Sequence, residues 1–267
     1  MPKARSKTPA KANARAKAPA AKTAKPAKSA RAKRQRPIEL YFWPTYNGLK
    51  ISIFLEEAGL PYELKPVNIN RGEQFDPHFL SISPNNRIPA IVDPDGPGGR
   101  PISIFESGAI LQYLGRKTGK FYPKTERARV EVDEWLFWQV AGFGPMAGQA
   151  HHFREYVKEP NPYGSQRYTK EMNRLYGVMN KRLEGRNYLA GAYSIADMAC
   201  WGVVKSAHRQ GQTLDEFPNV EAWWKRMNTR PGVQRGGKTG EFLRAPNYGA
   251  TNDPIAAKHL FGQTARR

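Results

Sequence analysis

Apolar and polar residues recur with two different periods along the chain, and the change of period divides residues 37–267 into two parts. In the first part, the β-branched and aromatic run Ile38–Phe42 predicts a strand that ends before Pro44. Apolar residues then recur at helical spacing over 48–59, where a final glycine is typical of a helix C-terminus. Residues 61–69 predict a second strand, so the three elements form a β-α-β unit with a right-handed crossover.

The first part continues with a helix, a hairpin and another helix. These elements are a short helix at 77–82, strands at 89–93 and 102–105 joined by a turn rich in Gly and Pro, and a helix at 107–116. The order β-α-β-α-β-β-α predicts a small sheet with mixed parallel and antiparallel pairing. The fold class of this part is therefore α/β.

The second part shows only helical spacing, and no segment in it alternates as a strand would. Helices are predicted at 125–138, 166–183, 194–208 and 220–230. Gly142, Gly144 and Pro145 interrupt a pattern that otherwise reads as one long helix, which predicts a kink. The predicted domains are an α/β domain at 37–120, an all-α domain at 125–231 and an irregular extension at 232–267.

The first 36 residues have a different composition from the rest of the chain. They hold thirteen of the 43 Lys and Arg residues and no acidic or aromatic residue, so they carry most of the net charge of +20. So few apolar residues cannot offset the entropy of ordering, and residues 1–36 are predicted to be a disordered tail. Two interpretations remain open: a merely solvated extension, or weak, sequence-independent binding to nucleic acid or another polyanion.

The single cysteine and the lack of long apolar stretches exclude several classes of protein. One cysteine cannot form a disulfide framework, a Cys-rich zinc site or a Cys-x-x-Cys motif, and it fits a reducing compartment. Cys200 lies on an apolar helix face and is expected to be a buried, inert thiol. His151 and His152 would point about 100° apart on a helix without a third ligand, so we expect no metal. No apolar stretch approaches the roughly 20 residues of a spanning helix, and we expect a cytoplasmic protein without a membrane partner.

Four sequence blocks carry a resemblance to a known family. They are Trp-Pro-Thr-Tyr-Asn-Gly at 43–48, Ser-Pro-Asn-Asn-Arg-Ile-Pro-Ala-Ile at 83–91, Phe-Glu-Ser-Gly-Ala-Ile at 105–110, and Ser-Ile-Ala-Asp at 194–197, a capping box that we assign to folding. Together they resemble the glutathione S-transferases over nearly all of residues 38–235. The residues within these motifs are similar to those of the bacterial Nu class and its yeast prion relative, a group known chiefly for glutathione-dependent disulfide reduction. The resemblance implies a thioredoxin-like N-terminal domain, an all-α C-terminal domain and a homodimer.

The turn after the first strand is the candidate thiol site. A thioredoxin-like enzyme acting alone would carry Cys-x-x-Cys there, and this chain has Thr45-Tyr46-Asn47-Gly48, so the thiol must come from a bound molecule. A helix N-terminus favours thiolate over thiol, and Asn47 and Thr45 can donate hydrogen bonds to the sulfur. The resemblance implies that the thiol is that of glutathione and favours Asn47, with Thr45 behind it, as the catalytic residues. Two alternatives are that both residues only cap the helix, or that Tyr46 is the donor, as in other classes.

Two further blocks are candidate binding elements for the peptide and its amino-acid head. The resemblance implies that Ile88-Pro89 is a cis peptide bond and that Ile88 binds glutathione through its main chain. Ser107 and the N–H groups around it suit a ligand carboxylate, and the Glu106 carboxylate suits a ligand ammonium. The alternatives are an ordinary trans proline and a pair of residues that only cap a helix.

The glycine end of glutathione carries a second carboxylate, which calls for a cation or another donor. Gln74 and Arg87 from the first domain and Arg167 from the helical domain are the candidates. The alternative for each is a solvated surface side chain.

Two functions from different classes remain open. The first is an enzyme that binds glutathione as cosubstrate and uses its thiolate to reduce a disulfide or to attack an electrophile. Two glutathiones in the cleft would favour reduction, and one would favour conjugation of an apolar electrophile against Trp135, Phe137 and Phe143. The second is a non-catalytic transferase-fold regulator or binding protein that the basic tail docks on nucleic acid.

Overall fold

The computed structural model describes residues 35–243 and 253–264 of the 267-residue chain. The tail predicted to be disordered lies outside these residues, except for Gln35 and Arg36. Arg36 is anchored, because its main-chain N–H and its Nε donate to the Asp95 carboxylate at 3.0 and 2.9 Å. The folded chain therefore begins slightly before the predicted boundary.

Four strands form a single sheet in the part of the chain that the structure describes. They are β1 (Ile38–Phe42), β2 (Tyr62–Pro66), β3 (Ala90–Asp93) and β4 (Ile102–Phe105). The strand order is β2-β1-β3-β4, with β1 parallel to β2 and antiparallel to β3, and β3 antiparallel to β4. Leu40 on β1 lies opposite Leu64 on one side and Ile91 on the other, so apolar residues pair across the centre of the sheet. The predicted mixed sheet is confirmed.

Ten α-helices lie among the described residues. They are α1 (Tyr46–Ala58), α2 (Pro77–Ile82), α3 (Ser107–Thr118), α4 (Glu126–Trp138), α5 (Gly144–His151), α6 (Pro162–Arg182), α7 (Ile195–Lys205), α8 (Pro218–Asn228), α9 (Pro231–Lys238) and α10 (Pro254–Phe261). Those from α4 onward confirm the predicted all-helical second part. Within residues 35–243 and 253–264, every helix is too short or too polar to span a lipid bilayer.

Helix α1 is the centre of the core. Its residues Ile51, Ile53, Phe54 and Leu55 are completely buried. It packs against the sheet and α3 from the first part and against α7 and α9 from the second. Because one apolar cluster joins the two parts, the N-terminal end of α1 is held rigidly between them.

A π-helical turn lies where the sequence predicts a kink. Residues Gln139–Phe143 form this turn between α4 and α5, and the helical path continues through it without a break. The π-helical turn immediately precedes α5, which has Pro145 in its first turn. Phe143 stacks on Trp138 at 4.8 Å, so the turn is packed firmly.

The prediction of irregular chain over 232–267 is wrong for two segments, α9 and α10. On α9, a Cβ at Gly236 would lie 2.5 Å from the Ile53 Cα, so glycine is required for the close packing of α9 on α1. On α10, the Asp253 side chain caps the helix by accepting from the N–H groups of Ile255 and Ala256 at 2.9 and 3.2 Å. The glycines that suggested irregular chain thus serve tight helix packing.

Candidate functional site

The N-terminus of α1 is formed as the sequence predicts. Thr45 is the N-cap, and its Oγ1 accepts a hydrogen bond from the Gly48 N–H at 3.3 Å. The capping role proposed as an alternative for Thr45 is therefore present, and its hydroxyl proton remains available for donation. Asn47 lies in the first turn, half-buried, and no described residue bonds to its side-chain amide. The Asn47 amide is thus the group at this helix end that is free to meet a ligand.

Tyr46 points away from this helix end into the helical part. Its hydroxyl donates to the Gly144 carbonyl at 3.3 Å, and its ring lies edge-on to His151 at 6.2 Å. Burial raises the pKa of the Tyr46 phenol to about 12. A phenol engaged in this way is poorly suited to activate a thiol, which disfavours the Tyr46 alternative.

The peptide bond between Ile88 and Pro89 is cis, as expected. It immediately precedes β3, which pairs with β1. No described residue makes a hydrogen bond with the main chain of Ile88. Its N–H and C=O are therefore available for an extended peptide to pair with.

Glu106 and Ser107 mark the start of α3. Glu106 has φ of 67° and ψ of 115°, a backbone conformation that costs a residue with a side chain about 1–3 kcal/mol. Its carboxylate is exposed and accepts from Asn85 Nδ2 at 3.5 Å. Ser107 is buried at the first helical position, where its Oγ accepts from the Lys50 ammonium at 3.2 Å. Sequence reasoning missed both Asn85 and Lys50, although Asn85 stands in one of the family blocks.

Gln74 and Arg87, two candidates for the second carboxylate, are both in contact with the C-terminal chain. Gln74 is 1% exposed and its Nε2 lies 3.5 Å from the His259 carbonyl, while no described residue bonds to its Oε1. Arg87 donates to Asn86 Oδ1 at 2.9 Å and to Gln263 Oε1 at 3.0 Å. Because this segment was predicted to be irregular, its contact with the site was missed. The Asp-Pro pair at 253–254, a helix start signal, was the available clue.

Arg167, the third candidate, lies exposed on α6. The pKa of Glu171 on the same helix is lowered chiefly by its hydrogen bond from Arg174, and the charge of Arg167 adds to this effect. No hydrogen bond or ion pair joins Arg167 to another candidate residue in the described part of the chain. The structure therefore gives no contact that links Arg167 to the rest of the site.

The aromatic side chains expected to face an electrophile do not share one surface. Phe143 is completely buried between Trp138 and Tyr176, so it is not available to a substrate. The Arg182 guanidinium lies over the Trp135 ring at 5.2 Å, and Phe137 is 57% exposed. The expectation for Phe143 is wrong, because the π-helical turn directs its ring into the core.

The other polar residues discussed above have structural environments. Cys200 is completely buried, as expected, and burial raises its thiol pKa. Burial lowers the pKa of His151 to about 4. Within residues 35–243 and 253–264, no three His, Cys, Asp or Glu side chains gather closely enough to hold a metal ion. The predicted capping box is confirmed, with Ser194 accepting from the Ala196 N–H and Asp197 from the Ser194 N–H.

Comparison with known proteins identifies the family. The family models of the glutathione S-transferase N-terminal and C-terminal domains match residues 36–116 and 158–231. The chain is 53% identical over 198 residues to the disulfide-bond oxidoreductase YfcG of Escherichia coli strain K12, covering 73% of this chain and 92% of that protein.

Two solved structures show what similar proteins bind. A glutathione transferase of Burkholderia graminis with two glutathione molecules bound per subunit is 41% identical, with a TM-score of 0.73 over 77% of this chain and 89% of that one. A glutathione transferase of Pseudomonas putida with one glutathione disulfide bound per subunit is 40% identical, with a TM-score of 0.74 over 79% and 94%. With both domain models matched and the sheet, the cis bond and the two helix starts in place, the chain belongs to the glutathione S-transferase family.

Proposed function

We propose that the protein binds glutathione at the N-terminus of α1 and uses the glutathione thiolate to reduce disulfide bonds. The observation that carries this proposal is the uncommitted Asn47 amide at a helix N-terminus in a chain whose only cysteine is buried. Such a site can stabilise a thiolate but cannot supply one. Identity of 53% to a disulfide-bond oxidoreductase supports reduction over a non-catalytic role.

The helix end stabilises the thiolate by electrostatics. The positive end of the α1 dipole and its free N–H groups favour negative charge, and hydrogen bonds from Asn47 and Thr45 add to this effect. These interactions strengthen as charge develops on sulfur, so Asn47 and Thr45 are the proposed catalytic residues.

The remaining candidates hold the peptide. Ile88, before Pro89, pairs with its main chain, and Glu106 and Ser107 bind the ammonium and carboxylate of the amino-acid head. We assign the glycine carboxylate to the region of Gln74 and Arg87, and we keep Arg167 on α6 as the third candidate for it. The ligand would thus be held along its whole length, with its sulfur at α1.

Reduction proceeds by two thiol–disulfide exchanges. The thiolate of one glutathione attacks a sulfur of the substrate disulfide, which forms a mixed disulfide and releases one substrate thiolate that takes up a proton. The thiolate of a second glutathione attacks the glutathione sulfur of that mixed disulfide, which releases the other substrate thiol and leaves glutathione disulfide. Two bound glutathiones in the Burkholderia relative support this stoichiometry.

A direct experiment separates reduction from conjugation. Purified protein is assayed for glutathione-dependent reduction of a small model disulfide and, in parallel, for conjugation of glutathione to an aryl halide. We expect reduction to be much the faster reaction, since Phe143 is unavailable to line an apolar site. Conjugation without reduction would overturn the assignment, and failure of glutathione to bind would overturn the proposed function altogether.

We also propose a homodimer that works in the cytoplasm and needs no metal. The apolar side chains of Val130 and Phe137 on α4 are 48% and 57% exposed, which supports a subunit contact on this helix. A reducing compartment supplies the reduced glutathione that the reaction consumes. Light scattering of the purified protein measures its mass, and a monomer would contradict the proposed homodimer. Treatment with a chelator tests the need for a metal, and we expect full activity afterwards.

The composition of the tail favours a second, separate property. Thirteen basic residues and no acidic residue within 1–36 support weak binding to nucleic acid by counterion release. Deletion of residues 1–34 should preserve disulfide reduction and remove salt-sensitive binding to duplex DNA. Equal DNA binding by both forms would end this proposal.

A further inference from the structure

Lys50 on α1 is a buried ammonium group between the two predicted ligand-binding helix starts. The residue is 2% exposed, and its Nζ donates to Gln139 Oε1 at 2.6 Å and to Ser107 Oγ at 3.2 Å. Within residues 35–243 and 253–264, no carboxylate lies within ion-pair distance of Nζ. Lys50 thus bonds only to neutral acceptors.

Such a residue is costly for the fold. Desolvation of an ammonium group costs several kcal/mol unless a well-placed partner offsets it, and burial lowers the pKa of Lys50 to about 7. Met would fill a similar volume on a helix at no electrostatic cost. Stability of the fold therefore does not account for a lysine here.

The surroundings of Lys50 are arranged to hold it. Gln139 begins the π-helical turn, and its amide lies against Gly144, where a Cβ would be only 2.8 Å from Nε2. Glycine at 144 leaves room for this amide group, and the side-chain oxygen Oε1 of Gln139 accepts the hydrogen bond from Lys50. The contacts run from the helical part through Gln139 and Lys50 to Ser107.

The hydrogen bond to Ser107 has a direct chemical consequence. Because protonated Lys50 can only donate, Ser107 Oγ then accepts, and the hydroxyl proton of Ser107 points elsewhere. At the start of α3, the main-chain N–H groups and this proton together form a set of donors for an anion.

We propose that Lys50 is a positioning residue for glutathione, which orients the Ser107 hydroxyl as a donor to the carboxylate of the ligand's amino-acid head. The inference rests on the proposed function, in which Ser107 binds that carboxylate. Lys50 does not touch the ligand. Its charge also favours the anion from behind the helix start.

A double-mutant cycle read by calorimetry tests the proposal. Glutathione affinity is measured for wild type, Lys50→Met, Ser107→Ala and the double variant. We expect each single substitution to weaken binding about five- to tenfold, the usual effect of one hydrogen bond to a charged group. The double variant should bind glutathione as tightly as the single variant with the lower affinity, because both substitutions remove the same interaction. Turnover should fall mainly through KM, with kcat nearly unchanged.

A truncated ligand and a matched lysine provide the controls. A glutathione analogue without the carboxylate of its amino-acid head should bind wild type and Lys50→Met equally, which a merely structural defect would not produce. Lys120→Met removes a lysine whose Nζ bonds the Ala58 carbonyl at 2.8 Å, at the opposite end of α1, and it should bind glutathione like wild type.

The outcomes separate this inference from the function beneath it. If wild type does not bind glutathione, the proposed function fails. If wild type binds and Lys50→Met binds equally well, or the two substitutions are additive, only the role of Lys50 fails. Should Lys50→Met not fold, Gln139→Leu, which removes the other acceptor of Nζ, replaces it in the cycle with the same two outcomes.

Discussion

The Arg87 guanidinium donates a hydrogen bond to Gln263 Oε1 at 3.0 Å and so joins the loop before the cis-proline to the chain that follows α10. Within α10, the Phe261 ring contacts His152 at 4.8 Å and Tyr156 at 5.4 Å on the helical part. The C-terminal helix therefore lies across both parts of the chain, over residues that we assign to the glycine end of glutathione. Gln263 occupies a donor of Arg87 that a ligand carboxylate would need.

Replacement of Gln263 by Ala should strengthen glutathione binding. Removing the competing acceptor frees the guanidinium for the ligand, and the gain should be about two- to threefold, the size of a partly exposed hydrogen bond. Calorimetry measures the change. Ile255→Ala on the outer side of α10, where Ile255 is 54% exposed, is the control and should leave affinity unchanged. Weaker binding by Gln263→Ala would mean that Gln263 contacts the ligand itself.

Replacement of Asn47 by Ala should lower turnover more than affinity. The Asn47 amide has no described partner, so its main contribution comes when charge develops on the glutathione sulfur. We expect kcat for reduction of a model disulfide to fall about 10- to 100-fold with less than a threefold change in glutathione affinity.

Tyr46→Phe is the matched control for Asn47→Ala, because it removes only the hydroxyl that bonds the Gly144 carbonyl. Its kcat should stay close to that of wild type. A large loss of turnover in Tyr46→Phe together with normal turnover in Asn47→Ala would return the thiol-activating role to the tyrosine.

The features predictable from sequence depend on residues close together in the chain. Three such features are the start of α1 at Thr45, the cis bond before Pro89 and the capping box of Ser194 and Asp197. Each is determined by a few consecutive residues, so one short sequence motif is enough to predict it. The periodicities of strands and helices are local in the same way, and they gave the sheet and its order of elements.

The features that sequence reasoning missed depend on distant contacts. Lys50 bonds residues 57 and 89 positions away, and in the sequence it is one polar residue in an apolar helix. Arg87 meets Gln263 across 176 positions, which no local pattern encodes. Phe143 has an apolar side chain suited to either a pocket or the core, and only the π-helical turn decides between them. Long-range packing thus determined the part of the site that could not be predicted.

The buried lysine should make stability depend on pH in the neutral to alkaline range. Burial lowers the pKa of Lys50 from 10.5 to about 7. The negative charge of Glu106 acts in the opposite direction and raises this pKa, but burial has the larger effect. Between these values the unfolded chain binds a proton that the folded chain lacks, so the free energy of unfolding rises with pH, by at most about 1.4 kcal/mol per pH unit. Below about pH 7 both states are protonated, and this contribution is constant.

The measurement compares wild type with Lys50→Met by urea unfolding at about pH 6, 7, 8 and 9 and one protein concentration. The variant should be the more stable protein at about pH 6, since it buries no ammonium group. Its advantage should shrink above about pH 7 as wild type gains stability. A difference between the two proteins that is the same at all four pH values would show that Lys50 stays protonated in the fold.

We expect Glu106 to lower the stability of the fold and to strengthen glutathione binding. With φ at 67°, its backbone has a positive φ, which glycine adopts readily and which strains residues with a side chain. Glu106→Gly should therefore raise the free energy of unfolding by about 1 kcal/mol, after the entropy cost of glycine is subtracted. The same variant should bind glutathione at least about tenfold more weakly, because the carboxylate that meets the ligand ammonium is lost.

Glu106→Ala separates the two effects, because it removes the carboxylate and keeps the strained backbone. It should lose affinity as the glycine variant does and gain no stability. The hydrogen bond from Asn85 at 3.5 Å is long and exposed, so its loss contributes little to either variant. Equal stability of the two variants would show that the backbone at 106 stores no strain. Wild-type affinity in both would show that Glu106 does not hold the ammonium group, and the amino-acid head would then depend on Ser107 and the helix start alone.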